Sequence, residues 1–260
     1  MPEFPAVPRV VYHSNPLHEV ICQLRFPPIL RIEAEVPAQF QEEIRSVFPL
    51  LEEQRVLDIP PGLPGELAES LSRALSQRVN YAFLTEDRLW SLTLARDFIA
   101  LSAKQYPRWE QFKGKLEPAV KVFISLYQPA YFSRVGLRYQ NVVDRRVLGL
   151  DGVPWSSLLQ PYVAGELADA GIASGILEAK RELLVSLVGP DRNVRVRHGL
   201  FVKPESDTVC YLIDSDFYVE QRTEVGDVAA TLDYFNEQAG RLFRWGIQPR
   251  LHEALGPGPA

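Results

Sequence analysis

The sequence predicts an α+β fold in which two pseudo-repeated lobes of antiparallel sheet are each packed by a long helix. Three observations predict it. Short apolar segments alternate with a period of two, as half-buried strands do. Two long segments space their apolar residues by three and four, as helices that pack on one face do. The same order of strands and helices recurs in both halves of the chain, which favours antiparallel sheets with helices laid on one side.

The composition is that of a globular protein without a membrane segment. The chain has 260 residues, of which 46% are hydrophobic and 23% charged, and its net charge is −5. This charge argues against a general electrostatic nucleic-acid binder. The first eight residues lack the basic region and apolar core of a signal peptide. Cys22 and Cys210 lie in apolar, strand-like segments, so we predict buried thiols in a cytoplasmic protein.

The first half begins with a proline-rich arm, residues 1–17, which we expect to join the fold at residues 10–12. Alternation then predicts a strand over 18–26. Its apolar face carries Val20, Cys22, Leu24 and Phe26, and its other face carries Ile21, Gln23 and Arg25. Apolar spacing predicts helices over 37–48 and 107–127. Between them we predict a linker at 58–65, a short helix at 66–76, and strands at 79–85, 89–95 and 98–103.

The second half opens with a predicted strand over 131–143. Val135, Leu137 and Tyr139 share one face, while Arg134, Gly136 and Arg138 share the other. Short helical stretches are predicted at 155–159 and 165–170. The predicted strands are 178–188, 194–203 and 208–214, with 217–220 as a continuation or a separate pairing. A long helix follows over 224–255, and the Gly-Pro tail at 256–260 is expected to fray.

Internal duplication is indicated by two offsets. Leu24-Arg25-Phe26 matches Leu137-Arg138-Tyr139 at an offset of 113, and the strands and long helix that follow match at 119. The predicted units are therefore an arm (1–17), an N-terminal lobe (18–129), a C-terminal lobe (130–255) and a tail (256–260). The lobes would share one curved sheet, as in TATA-box-binding-protein-like folds, or form separate sheets in a helix-grip-like arrangement; the sequence leaves both open.

Five segments carry a resemblance to a known family. They are 15–28, 97–101, 106–112, 134–141 and 214–217, and the fourth has the sequence Arg-Val-Gly-Leu-Arg-Tyr-Gln-Asn. The chain resembles a sporadically distributed, functionally uncharacterised prokaryotic family of about this length, whose signature is Gly-Leu-Arg-Tyr-x-Asn. The resemblance implies no activity. The patchy distribution is like that of genes on mobile or defence-related islands, an analogy that favours a subunit of a multi-protein system.

A candidate ligand site consists of Arg25, Arg138, Tyr139 and Asn141. Two matching guanidinium groups could grip a phosphate or carboxylate, with Tyr139 and Asn141 as further ligands. In the alternative, Arg25 and Arg138 pair with acids of their own lobes, for which Asp97 and Asp216 are the obvious partners. Duplicated arginines accompanied by duplicated aspartates favour this structural interpretation. Tyr139 is then a core residue and Asn141 a turn or cap residue.

Other candidate sites are weaker. Arg192, Arg195, Arg197 and Lys203 form a basic strand, but Phe201 is the one aromatic residue there that could stack on a base, so a solvated strand face is favoured. The four histidines are scattered and have no metal-ligand spacing. Asp207, Asp214 and Asp216 also fit a turn better than a cation site. We predict no cofactor and no metal, and we find no nucleophile or phosphate-loop motif.

Three functions remain as hypotheses. The first is a non-enzymatic protein-binding, assembly or regulatory subunit, with a protein partner or a second copy as its partner. Nucleic acid would enter only at the strand from Arg192 to Lys203, and no membrane association is expected. The second is a small-molecule or nucleotide sensor that binds in the cleft between the lobes. The third is an enzyme of unrecognised class that uses His18, Glu19 or the aspartates.

Overall fold

A computed structural model describes residues 3–56, 78–203 and 206–259. The fold is α+β, with a large antiparallel sheet and few helices. The strands are β1 (Val10–Tyr12), β2 (Leu17–Arg25), β3 (Leu50–Val56), β4 (Arg78–Leu84), β5 (Trp90–Ala95), β6 (Phe98–Ala103), β7 (Arg134–Val143), β8 (Ala179–Ser186), β9 (Arg192–Lys203), β10 (Thr208–Val219) and β11 (Pro257–Pro259). The helices are α1 (Leu30–Ala34), α2 (Ala38–Ile44), α3 (Trp109–Tyr127), α4 (Pro161–Ala164), α5 (Val228–Gly246) and α6 (Pro249–Ala254). The linker at 58–65 and the helix at 66–76 that we predicted lie outside the described residues.

Nine strands form one sheet, in the order β3-β4-β5-β6-β2-β7-β10-β9-β8. Each neighbouring pair is antiparallel. The first strands of the two predicted halves, β2 and β7, lie side by side at its centre, with Cys22 opposite Leu137. The strands of both halves therefore share one sheet, and the alternative of separate sheets is wrong.

One face of this sheet, which we call the covered face, carries the long helices. Val20, Cys22 and Leu24 of β2 are fully buried there, beside Val135 and Leu137 of β7, as the alternation predicts. The apolar stripes of α3 and α5 pack over them. The buried stripe residues are Trp109, Phe112, Leu116, Ala119 and Phe123 on α3 and Val228, Leu232, Phe235, Ala239 and Leu242 on α5. At roughly 25 cal/mol per Å² of apolar surface removed from water, this layer is the main source of stability.

The opposite face, which we call the open face, carries many small, polar or charged side chains. Ser91, Thr93, Ala100 and Ser102 lie on β5 and β6 with partial exposure. They alternate with buried neighbours such as Leu92 and Leu101, which point to the covered face. Because successive side chains in a strand point to opposite faces, each strand contributes to both surfaces.

Two segments near the C-terminus differ from the prediction, and a third decides between two predicted alternatives. The helix predicted over 224–255 ends at Gly246 and resumes at Pro249, which has no N–H to continue the helical bonding. Of the two possibilities left open for 217–220, the structure has the continuation, because β10 runs to Val219 and pairs with β9 over 208–219 and with β7 over 211–219. The tail at 256–260 was predicted to fray, yet β11 pairs with β1, placing Gly258 opposite Val11.

Candidate functional site

The structure separates the four residues of the predicted ligand site. Tyr139 and Asn141 are buried on the covered face. Arg138, which lies between Leu137 and Tyr139 on β7, projects from the open face, as does Arg25. The Arg25 Nε donates to the Gln23 Oε1 at 3.0 Å, and this arginine is exposed. The two arginines and the two other residues therefore do not line one pocket.

Arg138 is held by an acid, although not by the expected one. Its Nε and Nη2 donate to the two carboxylate oxygens of Asp214 at 2.7 and 2.6 Å. Asp214 has a side chain only 5% exposed, and its hydrogen bonds raise the pKa of Arg138. Asp216, the partner that the sequence suggested, instead accepts from the Arg134 Nη2 at 2.9 and 3.0 Å. The bidentate pair of Arg138 with Asp214 is strong and directional. Together with the contact between Arg134 and Asp216, it holds these side chains on the open face.

The basic side chains of β9 also have partners within the protein. Arg195 and Arg197 both donate to Glu182 on the neighbouring strand, the second at 2.9 Å. The Lys203 Nζ lies 3.1 Å from the Asp144 carboxylate. The Arg192 guanidinium stacks over the Tyr234 ring at 4.6 Å. Each of the four basic residues thus has a partner within the protein.

A cavity of about 420 Å³ lies on the covered face, beneath the N-terminal arm. Its walls come from the arm at residues 7–12, the start of α3, and one side of α5. Tyr139 and Asn141 of β7 line it, so two of the four predicted site residues do meet at a concave surface. Ligand pockets usually have volumes of about 300–1,000 Å³, and this cavity falls in that range.

Two tyrosines and an asparagine form the polar centre of the cavity. The Tyr139 and Tyr106 hydroxyls both donate to Asn236 Oδ1, at 2.9 and 3.3 Å. Their rings meet edge to face, with centroids 5.8 Å apart. Burial raises the pKa of both tyrosines well above its ordinary value. Both hydroxyls are therefore protonated at neutral pH and act as hydrogen-bond donors.

The arm is fastened over the cavity by polar contacts with α3 and α6. Arg9 makes a bidentate pair with Glu110 at 2.6 and 2.9 Å, and the Arg9 hydrogen bond lowers the pKa of Glu110 to about 2. The Tyr12 hydroxyl lies 2.8 Å from the His252 Nδ1. The Asn15 Nδ2 donates to the Tyr106 carbonyl at 2.8 Å. The arm is thus part of the cavity wall.

The charge that lines the cavity is positive. Arg9, Arg108, Arg241 and Arg244 line it, against one carboxylate, Glu237, among the described lining residues. Arg9 pairs with Glu110, and Arg241 pairs with Glu237 and Glu3. In the described part of the chain, Arg108 and Arg244 have no carboxylate within 4.0 Å. An anion is therefore the complementary ligand.

The described residues give no support for a metal site. No three His, Cys, Asp or Glu side chains of 3–56, 78–203 and 206–259 cluster as metal ligands would. His198 is buried with its Nδ1 2.7 Å from the Tyr211 hydroxyl, and His18 is exposed. No helix in the same ranges is long and apolar enough to cross a membrane.

The sequence did not identify most of the cavity residues. Tyr106 and Arg108 lie in the segment 106–112 that carries the family resemblance, which was the one available signal. Asn236 follows Phe235 of the α5 stripe and looks like an ordinary helix-surface residue. Arg244 lies far from β7 in sequence, so only the tertiary structure brings it to the cavity.

Comparison with known proteins assigns no family to this chain. No family model matches the chain, and a search of curated proteins found no match.

Proposed function

We propose that this chain is a ligand-binding regulatory protein whose cavity takes a small anionic molecule that carries a planar ring. The observation that supports this most strongly is that two arginines, Arg108 and Arg244, line a cavity with a hydrogen-bonded Tyr-Asn centre and have no carboxylate partner among the described residues. Arginine recognises carboxylate and phosphate groups through paired N–H donors. The shared ligand chemistry is therefore an anionic oxygen group.

The ring follows from the apolar part of the lining. Trp109 and Phe243 contribute to the wall beside Tyr106 and Tyr139, and aromatic side chains favour offset or edge-to-face contact with other rings. A ligand-sized cavity with a few convergent polar groups is the usual form of a small-molecule site. A nucleotide or an aromatic acid has both the ring and the charge that this lining complements.

The state of the polar groups is compatible with ligand binding. The raised pKa values of Tyr106 and Tyr139 keep both hydroxyls protonated, because burial disfavours the phenolate. Neither residue can then serve as a base at neutral pH, whereas both can orient a ligand.

The regulatory role in a multi-protein prokaryotic system, suggested by the family resemblance, is part of the same proposal. So is a cytoplasmic location, which the two buried free thiols support.

The test is a thermal-shift screen with nucleotides, organic phosphates and aromatic carboxylates. Gly240 of α5 lines the cavity, and a Cβ atom added there meets nothing within 4 Å. Gly240→Leu should therefore fill part of the cavity without disturbing the helix. Gly114 of α3 has equally open surroundings but does not line the cavity, so Gly114→Leu is the matched control.

We expect at least one anionic ring compound to raise the melting temperature of the wild type and of Gly114→Leu, and to have little effect on Gly240→Leu. Equal shifts in both variants would place the ligand elsewhere. A screen without any shift would remove the proposed function.

The two-lobe duplication is also a proposal. It is supported by the central pairing of β2 and β7, in which Gln23 lies directly opposite Gly136. These two residues differ by the offset of 113, as a twofold axis through their pair requires. The offset of 119 fits less well. Phe98 lies opposite Arg25, but Phe217 lies opposite Leu137, and Asp216 is the residue opposite Arg138. The pairing of β10 with β7 is therefore shifted by one residue from the pairing that the offset of 119 predicts.

A further inference from the structure

The cavity under the arm has two ends, which are separated along α5. The residues of α5 that line it begin at Asn236 and end at Arg244. At a rise of about 1.5 Å per residue, the eight steps between these two residues cover about 12 Å of the helix. The groups at the two ends can therefore contact different parts of one ligand.

The first end of the cavity is the start of α3, which lies beside Asn236. The Tyr106 hydroxyl donates to the Asn236 Oδ1 at 3.3 Å, and Arg108, two residues after Tyr106, lines the cavity. The Arg9 hydrogen bond is the main cause of the low pKa of Glu110, and the charge of Arg108 adds to it. The charge of Arg108 therefore acts at the same end as the pair of Arg9 with Glu110.

The second end of the cavity lies near the junction of α5 and α6. Arg244 lines the cavity there and is partly buried. Burial raises the pKa of Tyr12, and a hydrogen bond from Arg244 opposes this rise. The Tyr12 hydroxyl also lies 2.8 Å from the His252 Nδ1. Arg244 is thus beside the contact that fastens this part of the arm to α6.

The arm gives an independent measure of the distance between the two ends. Arg9 is bonded to Glu110 at the first end, and Tyr12 contacts His252 at the second. Arg9 and Tyr12 are three residues apart, and extended chain rises by about 3.3 Å per residue. The arm therefore covers roughly 10 Å between the ends, which agrees with the distance along α5.

We propose that the ligand is a dianion with one anionic group at each end of a planar core, so that Arg108 binds one group and Arg244 the other. This inference rests on the proposed function and specifies its ligand class. Neither arginine has a carboxylate within 4.0 Å among the described residues, whereas acids hold Arg9 and Arg241, which also line the cavity. Arginine binds the oxygens of carboxylate and phosphate groups through paired N–H donors.

The middle of the cavity fits the core of such a ligand. Ala239 and Phe243 of α5 and Val10 of the arm line the cavity and lie between the two ends in sequence. A core that crosses this apolar surface removes it from water, which favours binding. A ligand with a single anionic group would leave one of the two arginines without a counter-charge.

The test compares two rigid acids that differ only in their second charge. The para-dicarboxylate of biphenyl has one carboxylate at each end of two linked rings, and the para-monocarboxylate has only one. In calorimetric titrations of the full chain, the diacid should bind at least about tenfold more tightly, because it makes a second charge-assisted hydrogen bond. Terephthalate, whose single ring holds its carboxylates closer together, should gain little over benzoate.

Two variants locate the binding of each charge. In Arg108→Gln and in Arg244→Gln, the advantage of the biphenyl diacid over the monoacid should nearly vanish, because one end has lost its cation. The matched control is Arg250→Gln, since Arg250 is exposed on α6 outside the cavity lining, and it should keep the advantage. Comparing two acids on the same variant cancels any general effect of the substitution on the cavity.

The outcomes separate this inference from the proposed function. Equal affinity for the two biphenyl acids, or an advantage of the diacid that survives in Arg108→Gln or Arg244→Gln, overturns the two-ended ligand and leaves the proposed function in place. An equal advantage of terephthalate over benzoate also overturns it, because the second charge would then act without reaching the far end. If the biphenyl diacid does not bind, the inference fails, and the thermal-shift screen decides the proposed function separately.

Discussion

Arg138 and Tyr139 are neighbours on β7 and belong to two different surfaces. Tyr139 points to the covered face, where it lines the cavity and donates to Asn236. Arg138 points to the open face, where both of its bonded nitrogens are held by Asp214. The first residue faces space that a ligand can occupy, while the second is already paired with an acid. Residues adjacent in a distinctive motif can therefore have separate roles, because strand geometry assigns them to opposite faces.

The difference between the faces extends to their charges. On the open face, arginines of β7 and β9 pair with Asp214, Asp216 and Glu182. At the cavity on the covered face, Arg108 and Arg244 are without carboxylate partners in the described part of the chain. Arginines paired with acids within the fold indicate a structural role, and arginines that line a cavity without a carboxylate partner indicate binding.

The largest expected effect on stability comes from substitutions on the covered face, compared with one on the open face. Leu24→Ala and Leu137→Ala each remove a fully buried side chain from the covered face. We expect each to lower the free energy of unfolding by about 2–5 kcal/mol, because a cavity remains where the side chain packed. Gln23→Ala on the open face should change it by less than about 0.5 kcal/mol. Urea denaturation measures all three, and a comparable loss for Gln23→Ala would remove the distinction between the faces.

The next effect concerns the ion pair. Arg138→Ala should lower the free energy of unfolding by about 1–3 kcal/mol, because it leaves the buried Asp214 carboxylate without its main partner. Asp214→Asn in the same chain should recover part of this loss, since a neutral amide is easier to bury. The double-mutant cycle is measured by urea denaturation. If Arg138→Ala is without effect on stability, the structural interpretation of this arginine is wrong.

The pH dependence of the free energy of unfolding tests whether the covered face excludes charge. Burial lowers the pKa of His198 from its usual 6.5, so the unfolded state binds more protons than the folded state as the pH falls through that value. Stability is therefore retained above about pH 6.5 and decreases below it, by at most about 1.4 kcal/mol per pH unit for one proton.

Urea denaturation at a series of pH values measures this slope. In His198→Gln the slope between pH 7.5 and 5.5, a window chosen around the usual histidine pKa of about 6.5, should be smaller than in the wild type. An unchanged slope would show that His198 is not protonated on unfolding in this range.

The smallest effect is that of one hydroxyl. Tyr139→Phe removes one of the two donors to Asn236 and keeps the ring that packs against Tyr106. The free energy of unfolding should fall by about 0.5–1.5 kcal/mol, the usual net value of one hydrogen bond. Thermal denaturation measures it. A much larger loss would mean that the ring itself has moved.

The spacing of apolar residues along the sequence predicted most strands and the long helices, but it did not predict the cavity. Alternation placed Val20, Cys22 and Leu24 on the buried face, because a half-buried strand requires it. It missed β3, whose exposed acids at 52 and 53 hide any alternation, and it missed the helix break at Pro249. The cavity depends on contacts between residues far apart in sequence, such as Tyr12 with His252 and Tyr139 with Asn236, which no local pattern contains.

The central claim is that a ligand binds on the covered face and not at the arginines of the open face. The most direct measurement is calorimetric titration of a compound identified in the thermal-shift screen. Arg244→Gln should weaken its binding at least about tenfold, since a charge-assisted hydrogen bond contributes about 1.5–3 kcal/mol, while Arg138→Gln should bind it as the wild type does. Weakened binding in Arg138→Gln with unchanged binding in Arg244→Gln would contradict the account.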